Sequence, residues 1–120
     1  MGGDETNTGE VEESLDEDHI FGTLSSERRR TTLRELRDQP DGAVPLQELA
    51  ELVAAAEEGI PVEETSTQER KRRYVGLYQT HLPRMDEIDI VEYDESKGEV
   101  SLGPRASEVL YYLDLEGPDT

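Results

Sequence analysis

One stretch of this sequence alternates apolar and polar residues, whereas its other apolar residues recur at helical spacing. In IVEYDESKGEVSLG, residues 90–103, Val91 and Tyr93 precede a polar turn, and Val100 and Leu102 follow it. Period-two alternation on both sides of a short turn predicts a β-hairpin. Because 120 residues suffice for one modest domain, the sequence predicts a single, mostly α-helical α+β domain that contains one hairpin.

Apolar residues three or four positions apart predict helices on either side of the hairpin. The predicted helices are a short arm from Ser14, LSSERRRTTLRELRDQ (24–39), PLQELAELVAAAEE (45–58), a third main helix over about 66–82, and a final helix from Pro104. The expected N-terminal caps are Ser14 with Glu17, Ser25, and Ser66 with Glu69. Val44 predicts a short extended step, and Pro83 predicts a kink or restart in the third helix, with a last turn through Glu87.

A helical wheel of the third helix separates two faces. One face, expected to point inward, holds Lys71, Tyr74, Val75, Tyr78, Leu82 and Met85. The opposite face, expected to point outward, holds Arg72, Arg73, Gly76, Gln79 and Thr80. The outward set is polar or small, so we predict that this face meets a partner.

The chain carries 30 Asp and Glu residues against 12 Lys and Arg, a formal net charge of -18. Residues 1–13 are small, polar and acidic without periodicity, which predicts a disordered tail before a domain at 14–115, with residues 116–120 frayed. Without residues 1–18, which hold eight carboxylates and no cation, the chain still carries about -10. Such a surface, with only two lysines, is typical of proteins in molar salt, and we interpret the chain as halophilic.

Several kinds of chemistry have no signal in the sequence. There is no cysteine, His19 and His81 stand in unrelated contexts without metal-ligand spacing, and no nucleophile elbow or phosphate loop occurs. We therefore expect no enzyme activity, no metal, no cofactor and no small-molecule substrate. The chain also has no basic N-terminal region and no apolar run of about 18 residues, so we expect a soluble cytoplasmic protein without membrane contact.

The order of the predicted elements is that of a winged helix-turn-helix. In that fold three helices precede a two-stranded β-hairpin wing, and here a C-terminal helix follows the wing. The third helix of such domains commonly enters the DNA major groove, and the wing contacts the minor groove or phosphates. The sequence therefore predicts a DNA-binding domain that uses the helix at about 66–82 and the 90–102 hairpin.

The segments LSSERRRTTLREL, PLQELAELVAAAEE and ERKRRYVGLYQTHLPRMDEIDIVEYD together resemble a haloarchaeal winged-helix family of unknown function, over about residues 15–113. The junction HLPRMDEIDIVEYD is similar to the helix-to-wing junction of arsenic-repressor-type transcriptional regulators. The resemblance implies a role in transcriptional regulation. It departs from the usual pattern at Asp89, where such junctions place a glycine; Asp adopts the left-handed conformation at some cost.

Nine of the twelve cations lie in two places, Arg28 to Arg37 and the run Arg70 to Arg73. Clustered cations bind phosphate through counterion release, Gly76 would admit close backbone approach, and Gln79 and Thr80 have side chains that reach base edges. The predicted DNA-binding residues are Arg70, Arg72, Arg73, Gly76, Gln79, Thr80 and Lys97 of the wing.

Three alternatives remain open from the residues alone. A basic run on a helix is also typical of a salt-bridged or solvated face, and Asp94, Glu95 and Glu99 outnumber Lys97 on the wing. The same fold also serves as a protein-interaction module, whose Arg-rich helices would dock an acidic partner without binding DNA. An RNA-binding winged helix is the third alternative.

The final helix carries more apolar surface than one small core is expected to cover. Winged-helix regulators commonly dimerise through a terminal helix, and most soluble oligomers are symmetric homo-oligomers. We therefore predict a homodimer through Val109, Leu110, Tyr112 and Leu113. The alternative is that this helix packs only across its own domain, on Leu15, Phe21 and Leu33.

Overall fold

The structure is a computed structural model that describes residues 15–115. The predicted tail at 1–13, the cap at Ser14 and the frayed residues 116–120 lie outside this range. The described helices are α1 (Glu17–Leu24), α2 (Glu27–Arg37), α3 (Leu46–Glu58), α4 (Thr67–Gly76), α5 (Leu82–Glu87) and α6 (Ala106–Leu115). The described strands are β1 (Ala43–Pro45), β2 (Val91–Asp94) and β3 (Glu99–Leu102). The predicted mostly helical α+β class is confirmed.

Polar side chains cap the N-termini of three of the helices. Asp16, Ser26 and Ser66 each accept a hydrogen bond from the backbone N–H three residues further on, at 2.9, 3.2 and 3.0 Å. These bonds satisfy amides that have no partner within the helix. The cap predicted at Ser66 is confirmed, whereas the cap of α2 is Ser26 and not Ser25, whose hydroxyl instead donates to the Gly22 carbonyl at the end of α1.

The strands form one antiparallel sheet in the order β1-β3-β2. The predicted hairpin is present as β2 and β3, with Tyr93 opposite Val100. β1 pairs with the other edge of β3 and places Val44 opposite Val100. Both of these valines are fully buried. The extended step predicted at Val44 is thus a third strand. Its partner, β3, lies more than 50 residues further along the chain.

The core lies where α2, α3 and α4 pack together and the sheet closes one side. α3 is central, because it packs against both α2 and α4. α6 returns to pack against α1 at the other side of the domain. The fully buried side chains include Leu33 of α2, Leu49 and Val53 of α3, and Val109 of α6. Within the described residues, no helix combines the length and the apolar character that crossing a membrane requires.

A π-helical turn, Leu77–His81, joins α4 to α5 without a break. The three pieces together are called the 67–87 helix below. Proline at position 83 would bring its ring against the carbonyl four residues earlier in a regular α-helix. Here the preceding Leu82 N–H bonds to the Leu77 carbonyl, five residues back. The predicted disturbance at Pro83 therefore takes the form of a wider turn just before it.

A close backbone contact shapes the junction between the 67–87 helix and β2. Asp89 has a φ of 66°, so it adopts the left-handed conformation predicted for it. Its carbonyl accepts a hydrogen bond from the Arg105 amide at 2.9 Å. A Cβ at Gly103 would lie 2.4 Å from that carbonyl oxygen. Glycine at 103 is therefore required for the end of β3 to pass the junction.

We predict that Gly103→Ala lowers the free energy of unfolding by about 1–3 kcal/mol, the usual range for forcing extra atoms into a packed site. The measurement is urea denaturation followed by circular dichroism. Gly22→Ala is the matched control, because a Cβ there meets nothing within 4 Å and alanine favours a helix. Equal urea midpoints for Gly103→Ala and the unmodified chain would contradict the close contact.

Candidate functional site

The 67–87 helix turns a different side inward from the one that the helical wheel predicted. Leu77 is fully buried and Arg73 is 8% exposed, whereas Tyr74, Val75 and Tyr78 are 39–44% exposed. The outward position predicted for Arg73 and the inward position predicted for the other three are wrong. Leu77, absent from the predicted inner face, lies four residues after Arg73 and shares its side of the helix. The π turn then rotates the following residues away from a uniform 100° spacing.

Arg73 lies at the centre of a cluster of ion pairs, which also contains Arg28, Glu57, Glu58 and Glu69. The Arg73 Nε donates to Glu57 Oε1 at 2.8 Å, and its terminal nitrogens contact Glu58 and Glu69. The other oxygen of Glu57 accepts a hydrogen bond from Arg28 Nε. The hydrogen bond from Arg73 is the main reason that the pKa of Glu69 is held below its usual value. The cluster joins α2, α3 and α4.

Arg70 also faces the body of the domain. Its Nε donates to the Thr65 hydroxyl at 2.7 Å and one terminal nitrogen donates to the Val62 carbonyl at 3.2 Å. The other terminal nitrogen lies 3.5 Å from Glu51 of α3. Arg70 and Arg73, three residues apart, therefore both serve the packing of α4, although both were predicted to bind DNA.

The arginines of α2 are engaged in the same way. Arg29 donates to the Thr23 and Gly22 carbonyls at 3.1 and 2.7 Å, and Arg30 donates to the Leu24 carbonyl. These are carbonyls at the end of α1, where no helical partner remains. Arg37 pairs with Asp114 of α6. Of the α2 arginines, Arg28 and Arg37 thus form salt bridges. Arg29 and Arg30 bond to neutral carbonyls instead, so the salt-bridged alternative holds for only part of this cluster.

Gly76 lies on the side of α4 that faces α2, because a Cβ there would be 3.6 Å from an Arg28 terminal nitrogen. It is half-buried, so its predicted outward position is wrong. The other outward predictions on this helix hold, since Arg72, Gln79 and Thr80 are all exposed. The structure thus brings these three to the surface and keeps Gly76 with the packed side.

The exposed face of the 67–87 helix carries two cations near its beginning. Lys71, which was predicted to point inward, is exposed and forms no salt bridge within residues 15–115. The Arg72 side chain is 63% exposed and approaches Glu69 only at 3.8 Å. Both cations are therefore available to a partner.

An aromatic row continues from this face to the sheet. Tyr74 stacks with Tyr78 at a centroid distance of 6.4 Å, and Tyr78 meets Tyr93 of β2 edge-on at 6.2 Å. The wheel missed this row because it assigned both helical tyrosines to the core.

The hairpin end of the same region is acidic. A groove there is lined by Tyr78, Pro83 and Tyr93 together with carboxylates, namely Asp86, Glu87, Asp94 and Glu95. The hydrogen bond from the Ser96 hydroxyl is the main reason that the pKa of Asp94 lies below its usual value, so this carboxylate stays ionised. Lys97 is exposed in the hairpin turn beside these residues. Lys71 and Arg72 thus lie at the opposite end of this surface from the carboxylates.

The final helix buries part of the surface that was predicted for dimerisation. Val109 and Leu113 are fully buried in their own core, so their assignment to an exposed interface is wrong. Leu110 and Tyr112 are half-buried. The exposed apolar side chains are Tyr111 at 61% and Leu115 at 66%, with Phe21 of α1 at 51%. Phe21 contacts Tyr112 edge-on at 5.7 Å, so this face combines α1 with α6.

We predict that Arg73→Ala destabilises the domain by about 3 kcal/mol or more, because Glu57 would lose one of its two cations in a largely buried position. The measurement is urea denaturation. Arg72→Ala removes the same charge from an exposed neighbouring position and is expected to change stability by less than about 0.5 kcal/mol. Equal losses for the two variants would contradict a structural role for Arg73.

A comparison with protein families matches residues 21–101 of the chain to a model described as a domain of unknown function (DUF7344). No curated protein and no solved structure gives a significant match. The matched range runs from within α1 to within β3 and contains the ion-pair cluster and the exposed face of the 67–87 helix. Because it covers more than half of the 120 residues, the chain belongs to the DUF7344 family.

Proposed function

We propose that the chain is a winged-helix DNA-binding domain that regulates transcription, and that the beginning of the 67–87 helix is its recognition surface. The observation that carries this proposal concerns the run of four cations from Arg70 to Arg73. Its outer two members, Arg70 and Arg73, pair with carboxylates of the domain, whereas Lys71 and Arg72 are exposed. The two exposed cations therefore do not serve packing. A cation pair on the exposed face of a helix suits phosphate and base contact.

The arrangement of elements supports a winged helix. α2, β1, α3 and α4 precede the hairpin, and β1 completes a small sheet at its base. The 67–87 helix is the helix immediately before the wing, the place of the recognition helix in that fold. The sequence resemblance to haloarchaeal and arsenic-repressor-type regulators supports the same assignment.

The distribution of charge gives the contacts a direction. Lys71 and Arg72 contact phosphates or guanine, and Gln79 and Thr80, further along the exposed face, reach base edges. The carboxylates of the hairpin end repel phosphate. The N-terminal end of the helix therefore approaches the DNA, and the wing points away from it. Lys97 is the one wing residue in this proposal that contacts a phosphate at the margin.

A net charge of -18 is compatible with this function in molar salt. The Debye length there is about 3 Å, so carboxylates away from the contact repel DNA only weakly. The same screening reduces the gain from phosphate contacts. Shape fit and direct base contacts then contribute a larger part of the affinity, in the cytoplasm of a salt-adapted archaeon.

One observation favours a second candidate, a protein-interaction module. Tyr74, Val75 and Tyr78 are exposed beside Lys71 and Arg72. A helix face with apolar side chains and two cations suits an acidic, amphipathic segment of a partner protein. The two candidates use the same face and differ in whether duplex DNA binds to it.

We predict that the Lys71→Ala, Arg72→Ala double variant binds duplex DNA at least about tenfold more weakly than the unmodified chain, since a well-placed arginine contributes about 1–3 kcal/mol. The measurement is fluorescence anisotropy with fragmented genomic DNA in about 1–2 M KCl, where long-range attraction is screened. The Arg34→Ala, Arg105→Ala double variant is the matched control for net charge, because it also removes two cations. Arg34 and Arg105 lie outside the 67–87 helix and form no salt bridge among the described residues.

Binding that the double variant retains in full would place DNA on another surface. No binding by any of the three proteins, with all of them folded, would favour the protein-interaction module.

The DNA-binding form in this proposal is a homodimer. The exposed side chains Phe21, Tyr111 and Leu115 lie on the α1 and α6 side of the domain, and Leu110 and Tyr112 border them. A second copy would cover this apolar face through a symmetric interface. Two recognition helices would then reach two DNA half-sites.

We predict that Tyr111→Ser with Leu115→Ser converts the dimer to a monomer, because it removes the two most exposed apolar side chains of the interface. Analytical ultracentrifugation at several protein concentrations measures the change. Tyr74→Ser, an exposed aromatic residue on the other surface, should leave the dimer intact. If the unmodified chain sediments as a monomer at all concentrations, the proposed dimer is contradicted.

A further inference from the structure

A cavity of about 350 Å³ lies between α1 and the end of the 67–87 helix. Its lining includes Arg29 of α2, Arg84 and Met85 of α5, Ile88, and the carboxylates Asp18 and Glu87. This volume lies within the range of small-molecule sites in proteins. The cavity is separate from the exposed cations at the beginning of the 67–87 helix.

Neither arginine of this cavity forms a salt bridge within residues 15–115. The chain has 30 carboxylates for 12 cations, and most of its other arginines are paired with them. Both guanidiniums line the cavity, and burial, followed by repulsion from the positive charge of Arg84, lowers the pKa of Arg29. An anion between them would relieve this repulsion.

Arg29 is held in position by acceptors that carry no charge. It donates to the Thr23 and Gly22 carbonyls, and a terminal nitrogen lies 3.3 Å from His81 Nδ1. Burial, followed by the charge of Arg29, lowers the pKa of His81. Because a guanidinium can only donate, Nδ1 is the acceptor in this contact. These contacts use Nε and one hydrogen on each terminal nitrogen, and each terminal nitrogen keeps a further N–H. The guanidinium is therefore oriented while its charge remains uncompensated.

The rest of the lining indicates which anion would fit. Met85 is buried and Ile88 is half-buried, so they give the cavity an apolar part. The lining carboxylates Asp18 and Glu87 are exposed, and they repel a ligand with several negative charges more strongly than a ligand with one. A carboxylate matches the planar fork of an arginine and forms paired hydrogen bonds with it. A small ligand with one carboxylate and an apolar body satisfies all of these features.

We propose that this cavity binds a small organic monocarboxylate, whose carboxylate bridges Arg29 and Arg84 and whose apolar body contacts Met85 and Ile88. Such a ligand would link α1 to the end of the 67–87 helix. The proposal assigns a ligand site that DNA binding does not require, and it stands whether or not the chain binds DNA.

The test is a nuclear magnetic resonance titration of the full chain with isovalerate at constant ionic strength, with isovaleramide as the uncharged counterpart. We expect saturable shifts of the side-chain Nε–H signals of Arg29 and Arg84 and of the Met85 and Ile88 methyl signals with isovalerate. The amide should cause none of them. Arg84→Gln should weaken isovalerate binding at least about tenfold, the effect of losing one charge-assisted contact worth about 1.4 kcal/mol.

Arg105→Gln is the matched control, because Arg105 does not line the cavity and its loss changes the net charge equally. It should leave isovalerate binding unchanged. Equal shifts with acid and amide, the same affinity in Arg84→Gln, or no saturable shift at these residues would each overturn the proposal. Inorganic phosphate that binds at the same residues as tightly as isovalerate would also overturn it, since the site would then recognise anions in general.

Discussion

Both oxygens of the Glu57 carboxylate accept hydrogen bonds from guanidiniums of two different helices, Arg28 of α2 and Arg73 of α4. A largely buried carboxylate carries a desolvation cost, which good geometry and multiple hydrogen bonds offset. Removing either arginine would leave part of this buried charge without a partner. The ion pairs therefore favour one relative position of α2, α3 and α4. That position determines which side of α4 is left exposed. Lys71 and Arg72 face outward because Arg73 is held inward.

This acidic chain uses most of its arginines as internal connections. They join α2 to α3 through Glu57, cover the carbonyl end of α1, and tie α2 to α6 through Asp114. Such short-range pairs and hydrogen bonds tolerate salt better than separated surface charges do, since screening acts mainly on exposed charges at a distance. Lys71 at the beginning of the 67–87 helix, and Arg29 and Arg84 at the cavity near its end, are among the cations that form no ion pair within residues 15–115. The two proposed binding surfaces are built on them.

Features with local causes were predictable from the sequence. The hairpin follows from alternation over a few residues, and the Ser66 cap from a side chain that reaches an amide three residues away. The left-handed Asp89 was expected only through the resemblance to junctions that place a glycine there. The π turn was visible only as a disturbance at Pro83. The helical wheel failed at Arg73 because it treats arginine as a surface residue, whereas three carboxylates from α3 and α4 satisfy its charge inside the domain. It failed at Tyr74 and Tyr78 because an aromatic residue was assumed to need the core.

The sequence by itself determined the α+β class and the order of the helices and the hairpin. These properties depend on spacing over two to five residues, which any chain with the same pattern shares. Only the tertiary structure decided that β1 joins the sheet, that Val109 and Leu113 are core residues, and which cations of the 70–73 run are exposed. Each of these depends on a partner distant in sequence. The physical reason is that burial and ion pairing act across space, so the inward face of a helix is settled by the elements that pack against it.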